Sequence, residues 1–172
     1  MFSRKISKTQ KLALAGLFMA MYVLVMLYTQ SFAFGQYQIR IATSLYALSA
    51  VFPFLVVPLG LANFISNTLM GGLGPLDMLG GALVGFGTGA SIVWVKKQQL
   101  SNWFIAVLIT LVPGLMVPVW LSILLGIPYL ILMPAIVIGQ IVPGIVGTLL
   151  VIALERNKQM AKYEADAVLS KN

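Results

Sequence analysis

The sequence predicts an all-α integral membrane fold: a six-helix transmembrane bundle with its N- and C-termini on the cytoplasmic side. Three observations lead there. Of 172 residues, 60% are hydrophobic and 9% are charged, against about 45–50% apolar and about 25% charged in soluble domains. Mean hydropathy is +0.99, and a chain this short has too little interior to hide that surface from water, so its solvent is a bilayer. The apolar residues form runs of near-spanning length, and the basic residues gather at the ends of those runs.

The first run, residues 12–28, is uncharged. It is long for the core of a cleavable signal, and more spans follow, so it is expected to stay as the first helix. Residues 29–44 are more polar and hold Gln30, Gln36, Gln38 and Arg40. The second and third spans are expected at 38–57 and 59–72, joined by a tight turn near Pro58 and Gly60. The string GGLGP at 71–75 is a turn. A glycine-rich fourth span covers 76–95, and 96–102 is a polar loop. The fifth span, 103–125, contains Pro113 and Pro118, and Gly126-Ile127-Pro128 forms another turn. The sixth, 129–154, is expected to kink near Pro134 and Pro143. A charged cytoplasmic tail, 155–172, completes a single transmembrane domain, 1–172.

Charge parity selects six spans over five. Ten of the eleven basic residues form three clusters: Arg4, Lys5, Lys8 and Lys11; Lys96 and Lys97; Arg156, Lys158, Lys162 and Lys171. Six crossings put all three on one side, which the positive-inside rule makes cytoplasmic. Merging 45–70 into one span would put the last two clusters outside. The net charge of +7 therefore reads as orientation relative to a lipid bilayer, with no nucleic-acid partner. Arg40 and Asp77 are then the charged residues of the outer side.

The composition also excludes chemistry. There is no Cys and no His, and the four acids are Asp77, Glu155, Glu164 and Asp166. One carboxylate in the apolar body makes neither an acid–base pair nor a metal cage. Catalytic residues, metal ligands and a resident cofactor are not expected. No Walker A string, proton relay or inverted repeat is visible, so a transporter built on this chain would need its engine elsewhere.

Few residues remain to carry function. Arg40 and Asp77 at the outer mouth suit either a polar solute or a mutual clamp. Asn63 and Asn67, four apart with Ser66 beside them, share one helix face. That face points inward, as helix–helix glue or as the lining of a polar cavity. Gly81, Gly85 and Gly89, flanked by Gly80 and Gly87, make a small stripe suited to internal packing or to docking. Ala13, Gly16 and Ala20 make a similar stripe on the first helix, with its partner open. Phe32, Phe34 and Tyr37 either anchor at the interface or stack on a flat heterocycle. Trp94 and Trp103 are belt residues.

The order Gln38-Ile39-Arg40-Ile41-Ala42-Thr43-Ser44-Leu45, then Gly60-Leu61, Asn67 and Gly74-Pro75-Leu76-Asp77 with Gly80 or Gly81, resembles the queuosine-precursor transporter (QueT) family. Residues 10–95 match well, and the rest mainly in span pattern. The resemblance implies a substrate-binding S component of an energy-coupling factor (ECF) transporter, in a bacterial plasma membrane. It implies the six-helix fold of S components and an ECF module as partner: a membrane scaffold subunit plus two cytoplasmic ATPases. It implies a scaffold contact on the first helix at the positions of Ala13, Gly16 and Ala20, and toppling of the whole component to carry its ligand inward. A micronutrient ligand would touch Gln38, Arg40, Thr43, Asn63, Asn67 and Asp77. The family usually has a Glu about where Thr43 stands, and Thr43 cannot neutralise a cationic group. Two ligands therefore stay open, queuosine precursor and cobalamin. A non-transporting membrane assembly subunit that binds only protein is the rival, and an integral membrane enzyme is disfavoured by the missing His, Cys and paired acids.

Overall fold

The computed structural model describes residues 7–71 and 73–169, with side chains through residue 157. Arg4, Lys5, Lys171 and the last residue of the expected third span lie outside the described residues, as do the side chains of Lys158, Lys162, Glu164 and Asp166.

All the regular structure among the described residues is helical. Helix α1 (Lys8–Tyr28) opens with a capping box in which Ser7 Oγ accepts from the Gln10 N–H and Gln10 Oε1 accepts from the Ser7 N–H. Two donors that no intrahelical carbonyl can reach are satisfied this way. A one-turn helix α2 (Gln30–Ala33) and a loop lead into a 3-10 helix, Ile41–Ala50. A second short 3-10 turn, Pro53–Leu55, precedes α3 (Val56–Ser66), which runs on as π-helical turns at Asn67–Gly71. Three long helices follow: α4 (Pro75–Lys97), α5 (Trp103–Leu125) and α6 (Tyr129–Leu169).

Among the described residues, five stretches are long and apolar enough to cross a bilayer: Lys8–Tyr28, Pro53–Gly71, Pro75–Lys97, Trp103–Leu125 and Tyr129–Asn157. The expected second span, 38–57, corresponds to none of them; its centre is the 3-10 helix of 10 residues. The physical reason lies in rise. Ten residues extend about 15 Å as α-helix and about 20 Å as 3-10 helix. The 3-10 form carries a short segment farther across the bundle, and its residues are shielded by protein rather than lipid. Ala42 through Ser49 are all buried.

The turn expected near Pro58 and Gly60 also moves. The chain reverses at 51–55, and both residues sit inside α3. Pro58 is tolerated there because it stands in the first helical turn, where its missing N–H breaks no bond. The prolines of α5 and α6 lie within continuous helices.

Contacts order the elements end to end. Gly60 abuts Gly85, and Val56 abuts Gly89, so α3 and α4 run antiparallel. The glycine stripe of α4 is thus internal: Gly81 faces Asn63 and Asn67, Gly85 faces Tyr46, and Gly80 faces Trp120. One end of the bundle brings Lys11 over the Phe54 ring and pairs Lys96 with Glu155 at 2.8 Å. Asn102 bridges that pair, accepting from Lys96 and donating to Glu155. The exposed Trp94 and Trp103 flank it. The opposite end carries Arg40 and Asp77. Between the ends, one apolar cluster surrounds the 3-10 helix (Met26, Leu48, Leu59, Ile92, Ile105, Ile109), and a second joins α4, α5 and α6 through Val84, Val117, Leu121 and Ile136.

Candidate functional site

The polar residues that a bilayer would reject converge at the end away from the lysines. Arg40 is 4% exposed, immediately before the 3-10 helix. Its Nη1 donates to Asn67 Oδ1 at 3.1 Å and to Asn63 Oδ1 at 3.5 Å, and its Nε donates to the Ala33 carbonyl at 3.3 Å. The guanidinium carbon lies 4.8 Å from the centre of the Phe34 ring, a cation–π distance. Asn63 and Asn67 reach the guanidinium together because they are about one helical turn apart on the inner face of α3 and its π-helical extension.

Each amide has a second task. Asn63 Nδ2 donates to the Tyr46 hydroxyl at 2.7 Å and to the Gly81 carbonyl at 2.8 Å. Tyr46 in turn meets the Tyr22 hydroxyl at 3.1 Å, tying in α1. Asn67 Nδ2 donates to the main-chain carbonyl of Asp77 at 3.0 Å. Arg40 and Asp77 are not an ion pair; among the described residues the recorded pair is Lys96–Glu155. The Asn67 amide links the Arg40 guanidinium to the Asp77 main chain, not to its carboxylate.

Asp77 occupies the first turn of α4, after Gly74 (φ +89°) and Pro75. Pro75 suits the first helical position, and the helix dipole favours negative charge in that turn. The side chain is 2% exposed. Its Oδ1 accepts from Trp120 Nε1 at 3.0 Å, whereas Oδ2 is buried with no hydrogen-bond partner.

A second arm of the network runs to α6. Thr43 Oγ1 lies 2.7 Å from the Arg40 carbonyl and 2.9 Å from Gln140 Oε1. Gln140 Nε2 donates to the Gln38 carbonyl at 2.7 Å. Gln38 has a left-handed backbone (φ 45°). Gly139 makes room for that loop, because a Cβ there would collide with the Tyr37 carbonyl. All six residues singled out in the sequence (Gln38, Arg40, Thr43, Asn63, Asn67 and Asp77) therefore fall in one buried network. Thr43 and Gln38 join it as positioning groups, the first through its hydroxyl and the second through its main chain.

Sequence reasoning missed Tyr22, Tyr46, Trp120 and Gln140. Gln140 had a signal, as the one amide in the apolar run 129–154. Tyr and Trp in apolar runs resemble interface anchors, so those three carried none.

Beside the network lies a cavity of about 340 Å³, lined by Phe34, Gln36, Gln38, Gly71, Leu121 and Ile136 among others. Phe34 and Gly71 separate it from Asp77: a Cβ built on Gly71 would lie 2.9 Å from Asp77 Oδ2 and 3.3 Å from the Phe34 ring. Phe34 is thus both a cavity wall and the platform under Arg40, while Phe32 and Tyr37 are exposed. On α1, Ala13, Gly16 and Ala20 are exposed and face out of the bundle. Gly16 has open space where a Cβ would stand.

A convergent polar cluster thus lies beside a largely apolar cavity at one end of the helical bundle. No curated protein and no solved structure matches the chain. A family model described as QueT transporter matches residues 12–156. That match covers every element from α1 to the charged end of α6, and this multi-pass integral membrane protein belongs to the QueT transporter family.

Proposed function

We propose that the chain is the substrate-binding S component of an ECF-type ABC transporter and takes up a micronutrient with ATP hydrolysed on separate partner subunits. Its outer end holds the ligand, and the lysine-bearing end faces the cytoplasm and the ECF module, with the exposed small face of Ala13, Gly16 and Ala20 against the scaffold subunit. One observation carries this reading: a buried Arg40–Asn67–Asp77 network adjoins a cavity on the side opposite the basic residues.

Cavity size bears on the ligand. Small-molecule pockets span about 300–1,000 Å³, and about 340 Å³ accommodates a single fused heterocycle. A corrin ring with its nucleotide arm is far larger. That volume suits a queuosine-precursor base, a 7-substituted 7-deazaguanine, and favours it over cobalamin. Arg40, Asn63 and Asn67 set the floor, and Phe34 offers a stacking face.

The test is uptake. The chain is reconstituted with an ECF module in liposomes loaded with ATP and offered labelled 7-deazaguanine bases or cobalamin. ATP-dependent accumulation of a base supports the proposal. Accumulation of cobalamin alone refutes the ligand assignment. A stable complex with the module that moves no solute refutes transport and favours a protein-binding accessory subunit.

A further inference from the structure

A second space lies on the lipid-facing side of the bundle. It measures about 280 Å³, runs along the seam between α5 and α6, and is lined by Ala106, Val107, Thr110, Leu111, Ile141 and Ile145. Small residues make its floor: a Cβ on Gly144 would stand 2.7 Å from Thr110 Oγ1 and 2.8 Å from the Ala106 carbonyl, so the two helices touch there. The Thr110 hydroxyl donates to the Gln140 carbonyl at 3.2 Å, which turns it toward α6. Val107, Leu111, Ile141 and Ile145 form exposed walls. What the groove presents to a bilayer is therefore hydrocarbon.

The groove leads to a cationic end. On α6, Ile145, Leu149, Ile152 and Arg156 recur at three- and four-residue steps and share one face. On α5, Trp103, Val107 and Leu111 do the same, and all three are exposed. Arg156 stands about 16 Å of helix rise beyond Ile145, and one leaflet of hydrocarbon is about 15 Å thick. The groove thus begins about one leaflet below the arginine. The charge at that end is net positive. Among the described side chains the acids are Asp77, at the opposite end, and Glu155, which pairs with Lys96 at 2.8 Å. Lys97 and Arg156 are exposed.

We propose that the α5–α6 seam binds one anionic phospholipid of the leaflet at the basic end, its phosphate at Arg156 and one acyl chain lying down the seam into the groove. Guanidinium and phosphate match in charge and in fork geometry. A chain in a recess contacts walls and floor, whereas on a convex helix it touches along one side. Trp103 stands at the depth of the ester groups, which indoles favour. A zwitterionic lipid offers the same chain but adds an ammonium that the basic end repels. The site is independent of the outer cavity and of its ligand.

The full chain in detergent micelles is titrated with dioleoyl phosphatidylglycerol or dioleoyl phosphatidylcholine, and binding is read by native mass spectrometry and by thermal unfolding followed with circular dichroism. One bound phosphatidylglycerol is expected, half-saturating at a concentration about 5- to 10-fold below that of phosphatidylcholine, as for one guanidinium beside a phosphate. Arg156→Gln, at an exposed position, is expected to leave the lipid-free midpoint in place and to bring the two lipids within about twofold. Ile145→Trp and Val107→Trp, which fill the groove from either wall, are expected to weaken both lipids about tenfold. Leu83→Trp, exposed on α4, is expected to change neither. Equal binding of both lipids by the unmodified protein, or a preference that survives Arg156→Gln, overturns the placing of the phosphate at Arg156. Weakening by Leu83→Trp equal to that by the groove variants, or no weakening by either groove variant, overturns the site in favour of ordinary annular lipid.

Discussion

Replacing Arg40 by Met keeps the length of the side chain and removes its donors. Asn67 Oδ1, Asn63 Oδ1 and the Ala33 carbonyl then lose the guanidinium bonds at 3.1, 3.5 and 3.3 Å. All three residues are nearly inaccessible, at 1%, 2% and 0% exposure, so water does not replace those bonds. A buried acceptor left unmade costs about 1–3 kcal/mol, which gives about 3–9 kcal/mol for three. The longer bonds are weak, and removing a buried charge returns part of its desolvation cost. The expected loss is therefore near the lower bound, about 3 kcal/mol. Denaturant unfolding in detergent micelles, followed by tryptophan fluorescence, measures it. Adding Asn67→Leu removes one stranded acceptor together with its donor, so the double variant should be more stable than additivity allows, by about 1 kcal/mol or more. Arg40→Met within about 0.5 kcal/mol of the parent, or strictly additive behaviour, would refute the claim that the guanidinium organises this end of the bundle.

Other perturbations separate packing from polarity. Gly139→Ala forces a Cβ into the Tyr37 carbonyl and is expected to cost about 1–3 kcal/mol in the same unfolding assay, whereas Gly87→Ala meets nothing within 4 Å and should be neutral or slightly stabilising. Gln140→Leu cuts the bonds to the Gln38 carbonyl and Thr43; ligand affinity by calorimetry should fall about tenfold, as for one or two lost buried hydrogen bonds. Lys96→Gln removes an ion pair whose side chains are 24% and 34% exposed, so its effect on unfolding should stay within about 1 kcal/mol and shrink with added salt.

Local chemistry was enough to read much of this protein. Hydropathy marks a membrane segment because lipid tests each stretch of backbone and side chain on its own, and α1, α4, α5 and α6 fall where the apolar runs do. The lysines separate from Arg40 and Asp77 into two ends of the bundle because the apolar runs between them carry no charge. Asn63 and Asn67 point inward because amides are unfavourable toward lipid, and their spacing puts them on one face. The all-α membrane class and the QueT family were legible for these reasons.

The tertiary structure decided what depends on partners far along the chain. Residues 41–50 are apolar enough for either helix type; they stretch into a 3-10 helix because neighbours on every side replace lipid, a condition no local window records. Gln38 meets Gln140 across 102 positions of sequence, and Trp120 reaches Asp77 across 43. Whether Arg40 and Asp77 would clamp each other was undecidable from their types, since opposite charges suit contact and separation alike. In the fold Arg40 bonds the Asn63 and Asn67 amides, while the Asp77 carboxylate bonds Trp120 and keeps one oxygen without a partner. Hydropathy is a property of each residue summed along the chain, whereas hydrogen-bond satisfaction belongs to the assembled interior, and only the folded bundle specifies it.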